Sequence, residues 1–188
     1  MKIFDASSEQ ATIADVIKLV KETIPAVVGI TTMSLNISSA FELARAIKSL
    51  DKKIWVIAGG AHPTVAPEHM LSDNNIDAIV IGEGEVTLLE LVDAIETGSE
   101  FEEIKSIGFR RNGDNIYTHR RELIPDLSKL PLPAYDLIST ERYDAPYSTR
   151  KPLASMVRSR GCIFKCTFCG NNKTYGPTFR CQTPERTV

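Results

Sequence analysis

An α/β fold built on a doubly wound parallel sheet follows from three features of residues 1–97. Short, continuous apolar runs alternate with stretches of helical periodicity, the runs are rich in Val and Ile, and several end in loops carrying Gly or Thr. Strands that are apolar on both faces belong to parallel sheets covered by helices on both sides.

Lys2-Ile-Phe4 reads as a short first strand, and Ile13, Val16, Ile17 and Val20 then recur at helical spacing. Pro25 stops that helix, and Ala26-Val-Val-Gly-Ile-Thr31 is the next strand. Ala40, Phe41, Leu43, Ala44 and Ile47 mark a second helix, and Ile54-Trp-Val-Ile-Ala58 a third strand running into Gly59-Gly60. A short helix is expected from Pro67 to Ser72. Ala78-Ile-Val-Ile81 is a fourth strand, followed by Gly82-Glu-Gly-Glu85 and a helix through Leu88, Leu89, Leu91, Val92 and Ile95.

Residues 98–150 read as a hairpin and a linker. Asn112-Gly113-Asp114 is a strong turn signal between Ile107-Gly-Phe-Arg-Arg111 and Asn115-Ile-Tyr-Thr-His119. Pro125, Pro131, Pro133 and Pro146 then punctuate a segment short of apolar runs, which Tyr135, Leu137 and Tyr143 are expected to pack against a domain surface. His119, Arg120 and Arg121 read as solvated strand-end residues. Residues 151–188 open with a buried strand, Leu153-Ala-Ser-Met-Val157, and close with a helix start, Thr183 as N-cap and Pro184 in the first turn.

At 188 residues the chain can bury one good core and an appendage. A net charge of −2 gives no support to a nucleic-acid or anionic-membrane partner, and no apolar run is long enough to span a bilayer. Free cysteines without an export signal point to a reducing cytoplasm.

Cys162, Cys166 and Cys169 form a C-x3-C-x2-C run with Phe168 just before its last member. Three closely spaced thiolates can bind three corners of a cubane iron–sulfur cluster and leave the fourth iron open. Cys181, twelve residues further on, would complete four ligands for tetrahedral zinc, although zinc sites usually pair their cysteines in two knuckles and only one is present. Cys181 itself reads as a partly buried bystander thiol.

The cysteine run resembles the cluster loop of the radical S-adenosylmethionine (SAM) enzymes. The resemblance implies a [4Fe–4S] cluster on Cys162, Cys166 and Cys169, with SAM chelated by the open iron and Phe168 among the cofactor contacts. It also implies reductive cleavage of SAM to a 5′-deoxyadenosyl radical, an electron donor such as flavodoxin or ferredoxin, and a small-molecule substrate. In that family the loop follows the first strand of a partial βα barrel. Only one βα unit is present after residue 150, so the 188-residue chain is expected to be catalytically incomplete.

Ligands of open α/β sheets bind beyond the carboxyl ends of the strands. There the sequence places Thr31-Thr-Met-Ser34, Gly59-Gly-Ala-His-Pro-Thr64 and Gly82-Glu-Gly-Glu85. Together these stretches resemble the cobalamin-binding domain that precedes the barrel in one large branch of radical SAM enzymes. The resemblance implies a cobalamin slot lined by Thr31, Thr32, Ser34, Gly59 and Gly60, with His62, Gly82 and Glu83 nearby. No Asp-x-His-x-x-Gly segment occurs, so no histidine is marked as an axial ligand to cobalt. The family usually has one more strand and helix before this chain begins, a strand central to a 2-1-3-4-5 sheet. The competing class is a non-catalytic module that binds cobalamin or a metal at the cysteines.

Overall fold

The computed structural model describes residues 1–143, 149 and 155–187. Its centre is a five-stranded sheet in the order β1 (Val27–Thr31), β2 (Trp55–Gly59), β3 (Ala78–Val80), β4 (Ile107–Arg111), β5 (Asp114–Tyr117). The first three strands are parallel, with Thr31 opposite Gly59 and Ala58 opposite Ile79. β4 and β5 run antiparallel. The α/β class stands, and the hairpin read as the start of the linker region is instead the antiparallel wing of this sheet. Ile107 and Phe109 explain why: both are buried in the core and so belong to the sheet rather than beside it.

Helices cover both faces, as the apolar runs require. Helices α1 (Ile13–Thr23) and α2 (Ile37–Leu50) pack over Val56, Ala58, Ile79 and Ile81. Two short helices, α3 (Ala61–Val65) and α4 (Pro67–Met70), follow β2, and Met70 enters the same core. Helix α5 (Glu85–Thr97) covers the other face, where Leu91 and Ala94 meet Ile57, Ala78 and Val80. The α1 start is a capping box, in which Thr12 and Asp15 satisfy each other's backbone N–H.

Three expectations need correction. Lys2–Phe4 forms no strand, since a strand exists only in a ladder and none of the described strands pairs with it. β1 instead pairs directly with β2 and, among the described residues, forms an edge of the sheet. Of the expected strand 153–157, Leu153 and Ala154 lie outside the described residues, and residues 155–157 are irregular. The strand forms just beyond, where β6 (Ser159–Arg160) pairs antiparallel with β7 (Arg180–Cys181). Finally, Arg121 is not a solvated residue: it donates from Nε to Thr87 Oγ1 at 3.0 Å and pairs with Glu90. Arg120, though more exposed, donates to the Thr64 carbonyl at 3.1 Å, and His119 is exposed as expected.

Three short 3-10 turns (Leu127–Lys129, Tyr135–Leu137 and Thr140–Arg142) carry the chain from the sheet towards β6. Tyr143 donates to Asp5 Oδ2 at 2.8 Å, so the linker does pack against the body of the molecule. That bond, with backbone donors from Ser8 and Ser7, holds the Asp5 carboxyl below the ordinary aspartate value. Pro146 lies outside the described residues. Helix α6 (Asn171–Tyr175) lies between the cysteines and β7, and the final helix, α7 (Pro184–Thr187), begins at Pro184 as expected.

Candidate functional site

The carboxyl ends of β1, β2 and β3 bring the three predicted loops to one rim of the sheet. Gly29 and Thr31 on β1 share a face with Gly59 on β2, since side chains alternate along strands and Thr31 lies opposite Gly59. An added Cβ at Gly29 or Gly59 would meet nothing within 4 Å. Thr31 is exposed as well, so α5 leaves this part of the sheet face uncovered. Gly29 escaped the sequence reading because one Gly inside a strand looks like any other.

Behind that strip the loops are locked together. Thr32 is fully buried, and both its N–H (2.7 Å) and its hydroxyl (2.9 Å) donate to the Gly59 carbonyl. Its own carbonyl accepts from His62 N at 3.1 Å. Gly60 has φ +101°, and a Cβ there would lie 2.7 Å from the Thr32 carbonyl oxygen, so this position requires glycine. Thr64, buried in α3, donates to the Gly60 carbonyl at 2.8 Å and accepts from Gly82 N at 2.9 Å. One hydroxyl thereby ties the β2 loop to the β3 loop. Nothing in the sequence separates Thr64 from an ordinary helix threonine.

His62 is buried, 7% exposed, with both ring nitrogens engaged. Nδ1 faces Ser34 Oγ at 3.0 Å and Nε2 faces His69 Nδ1 at 3.0 Å. Burial first, and the neighbouring His69 second, hold its pKa below the ordinary histidine value. A neutral ring, already bonded on both sides, braces the Ser34 loop and offers no free nitrogen to a ligand.

Glu83 sits deeper than expected. Its side chain is 4% exposed, and its carboxylate accepts from Ile124 N at 2.8 Å and from Arg180 Nη1 at 2.9 and 3.0 Å. Arg160 reaches Glu83 Oε1 at 3.2 Å and also pairs with Glu85. Burial would raise the Glu85 pKa, yet the Arg160 contact outweighs it and holds the carboxyl below its ordinary value. For Arg160, burial pulls down while Glu85 and Glu83 push up, and the pKa ends above the usual arginine value.

Arg160 and Arg180 are paired across β6 and β7, at the base of the cysteine loop. Gly161 turns the chain into that loop at φ +85°, and a Cβ there would lie 2.0 Å from the Thr178 carbonyl oxygen. Cys162 is half-buried and its N–H donates to the Gly176 carbonyl at 3.2 Å. Cys166 and Cys169 are exposed and joined by a backbone bond of 3.2 Å; Phe168 is 91% exposed. Cys181 is exposed too, on β7 rather than on the loop. Among the described residues no three His, Cys, Asp or Glu side chains are gathered around a metal-sized space. In donor chemistry the loop fits an iron–sulfur cluster, with three thiols free of disulfides on one short segment fixed at its base.

A groove of about 610 Å³ lies elsewhere, between Ser128, Leu132, Met156, Thr183 and Arg186. It is wide open and none of the strand-end residues lines it, so the strand ends remain the better site. Among the described residues no helix is long and apolar enough to cross a membrane.

Residues 1–92 match the B12 binding domain family. An uncharacterized methyltransferase of Pyrococcus horikoshii is 34% identical over 189 residues, covering 100% of this chain and 40% of that protein. The anaerobic magnesium-protoporphyrin IX monomethyl ester cyclase of Synechocystis is 32% identical over 116 residues, covering 61% of this chain and 23% of that one. In fold, the chain is similar to the radical SAM methyltransferase TsrM from Kitasatospora setae, solved with cobalamin and a [4Fe-4S] cluster bound. That likeness has a TM-score of 0.71 at 18% identity over 98% of this chain and 38% of TsrM. The chain thus spans less than half the length of these relatives. The chain is similar to cobalamin-binding radical SAM enzymes, with a match to the B12 binding domain over residues 1–92 followed by a three-cysteine loop.

Proposed function

We propose that this chain binds cobalamin at the carboxyl end of its parallel strands and carries, on the adjoining loop, the thiolates of a [4Fe–4S] cluster that takes SAM. It would serve a radical SAM enzyme of the methyltransferase or oxidative-cyclase type. The observation that carries this reading is the uncovered strip of Gly29, Thr31 and Gly59, open to a flat ligand at the strand ends and backed by the Thr32 and Thr64 hydrogen bonds.

Each residue has a task in that reading. Gly59 leaves room for the ligand, and Gly60 lets the β2 loop turn under it. Thr31 and Ser34 present hydroxyls to its polar groups, while Thr32 and His62 fix the loop that carries them. Cys162, Cys166 and Cys169 would hold the cluster, and Phe168, exposed beside the last thiol, would be among the contacts of the SAM bound there. When bound, the cluster supplies an electron for SAM cleavage and cobalamin supplies a carrier for one-carbon or radical chemistry. A small-molecule substrate, a reducing flavodoxin or ferredoxin, and a cytoplasmic location complete the proposal.

The test is titration with hydroxocobalamin, followed by its visible spectrum, on protein reconstituted anaerobically with iron and sulfide. Saturable cobalamin binding and one cluster held by three cysteines are expected. No spectral change with cobalamin, or zinc in place of iron at the cysteines, would refute the reading.

A further inference from the structure

The loop after β3, Gly82-Glu-Gly-Glu85, lies at the rim where cofactor contacts are expected, yet Glu83 is buried and both carboxylates are paired with arginines of the cysteine segment. Glu83 and Arg180 are 4% and 7% exposed at the side chain. Burial of two charges is tolerated only when each is paired and hydrogen-bonded. Glu83 meets that condition with Arg180, Arg160 and the Ile124 N–H. Arg180 also donates to the carbonyls of Ile124 at 2.7 Å and Tyr175 at 2.8 Å. The Arg160 guanidinium lies 5.9 Å from the centre of the Tyr175 ring, within cation–π range.

These contacts join three parts of the chain far apart in sequence. Glu83 follows β3, Arg160 stands two residues before Cys162, and Arg180 lies in β7 at the far end of the loop. The joint continues on the other side, because Gly82 N–H is held by Thr64, which in turn holds the Gly60 carbonyl. Hydrogen bonds on either side of the Gly82–Glu83 peptide thus link the cobalamin rim to both strands that close the cysteine loop.

We infer that Glu83 and Arg180 are positioning residues that fix the cysteine loop in one register against the carboxyl end of the sheet. For the reaction, the consequence is that cobalamin and the cluster keep a set separation; that consequence rests on the function proposed above, whereas the clamp itself does not. Glu83 then serves the cofactors without touching them.

Hydrogen exchange of the full 188-residue chain without cofactors tests the clamp directly. In Glu83→Gln, the amides of Cys162 and Gln182, bonded to the carbonyls of Gly176 and Arg158, should exchange faster. The increase should be about 100-fold or more, near the least that removing one partner of a buried charge pair should release. Amides of β1 and β2 should keep their protection. Arg180→Lys keeps the charge but cannot reach both the carboxylate and the two carbonyls, so it should loosen the same amides. Unchanged protection of Cys162 and Gln182 in both variants, or equal loss across β1 and β2, overturns the inference.

A second readout uses protein reconstituted with cob(II)alamin and with the cluster reduced by one electron, by a strong chemical reductant, to its paramagnetic [4Fe–4S]+ state; the cob(II)alamin resonance then broadens when the two centres are near and fixed. Glu83→Gln should narrow that signal while both cofactors stay bound; an unaltered signal counts against positioning. Failure of the wild type to take up a cluster refutes the proposed function and leaves the exchange result to decide the clamp.

Discussion

Gly59→Val separates ligand binding from folding. Gly59 ends β2 with a backbone that any residue adopts, and its Cβ direction is empty for 4 Å. Replacing strand Gly by Val should therefore leave stability unchanged or raise it, within the span of about 1 kcal/mol that strand preferences cover. The same isopropyl group would stand where cobalamin must approach the sheet. Forcing extra methyl groups into a packed contact costs about 1–3 kcal/mol, which weakens the dissociation constant about 5- to 150-fold. Gly60→Ala is the contrast. Its Cβ meets a backbone oxygen at 2.7 Å and its φ of +101° is strained for any other residue. About 1–3 kcal/mol of stability should go with it. Urea unfolding and hydroxocobalamin titration of both variants check the pair. Unchanged, saturable binding by Gly59→Val would place the site elsewhere, and unfolding of Gly59→Val as easy as that of Gly60→Ala would refute the open-strip geometry.

Other residues yield equally direct expectations. Thr64→Val keeps the shape of a fully buried side chain and strands the Gly82 N–H, so chemical denaturation should show a loss of about 1–3 kcal/mol. Cluster iron after anaerobic reconstitution should fall sharply in Cys166→Ala and stay at the wild-type level in Cys181→Ala; the opposite pattern sinks the ligand assignment. The His62 pKa lies below its unfolded value of 6.5, so the unfolded chain takes up a proton more readily than the fold. Its contribution to stability is complete above pH 6.5 and is lost as pH falls from there through the folded pKa. His62→Gln should flatten that part of the stability–pH curve, and an identical curve would show that another group titrates.

Legibility followed the range of the interactions. Parallel strands with buried side chains announce themselves as Val- and Ile-rich runs, so β1, β2 and β3 were readable to within a residue or two. The hairpin turn at Asn112 and Gly113 was equally local and equally clear. What stayed hidden were facts about pairing. Nothing in Ile107–Arg111 says that it will lie beside Ala78–Val80, 30 residues away, and nothing in Lys2–Phe4 says that it will find no ladder. The rim residues were located by their loops, but their duties were not. Glu83 was expected among the cofactor contacts and turned out to be sealed by Arg180, 97 residues on, a pairing no local pattern encodes. Thr64 was masked for the same reason, because its two partners come from different loops.

Among the described residues, β1 is an edge of the sheet with no strand beyond it. β1 is five residues long, Val-Val-Gly-Ile-Thr, without a charge or a proline. Natural edge strands usually carry such residues to turn away other chains. The opposite edge is guarded in that way: β5 is four residues long and opens with Asp114 and Asn115, both exposed. The two borders of one sheet therefore differ in character, one repelling and one receptive. Any extended segment with a matching apolar face can add itself along β1 through backbone bonds alone, and at high protein concentration the readiest source of such segments is another copy of this chain. The same border makes the sheet extensible and makes the isolated polypeptide prone to sticking to itself, so the two properties will rise and fall together in any variant that places a lysine there.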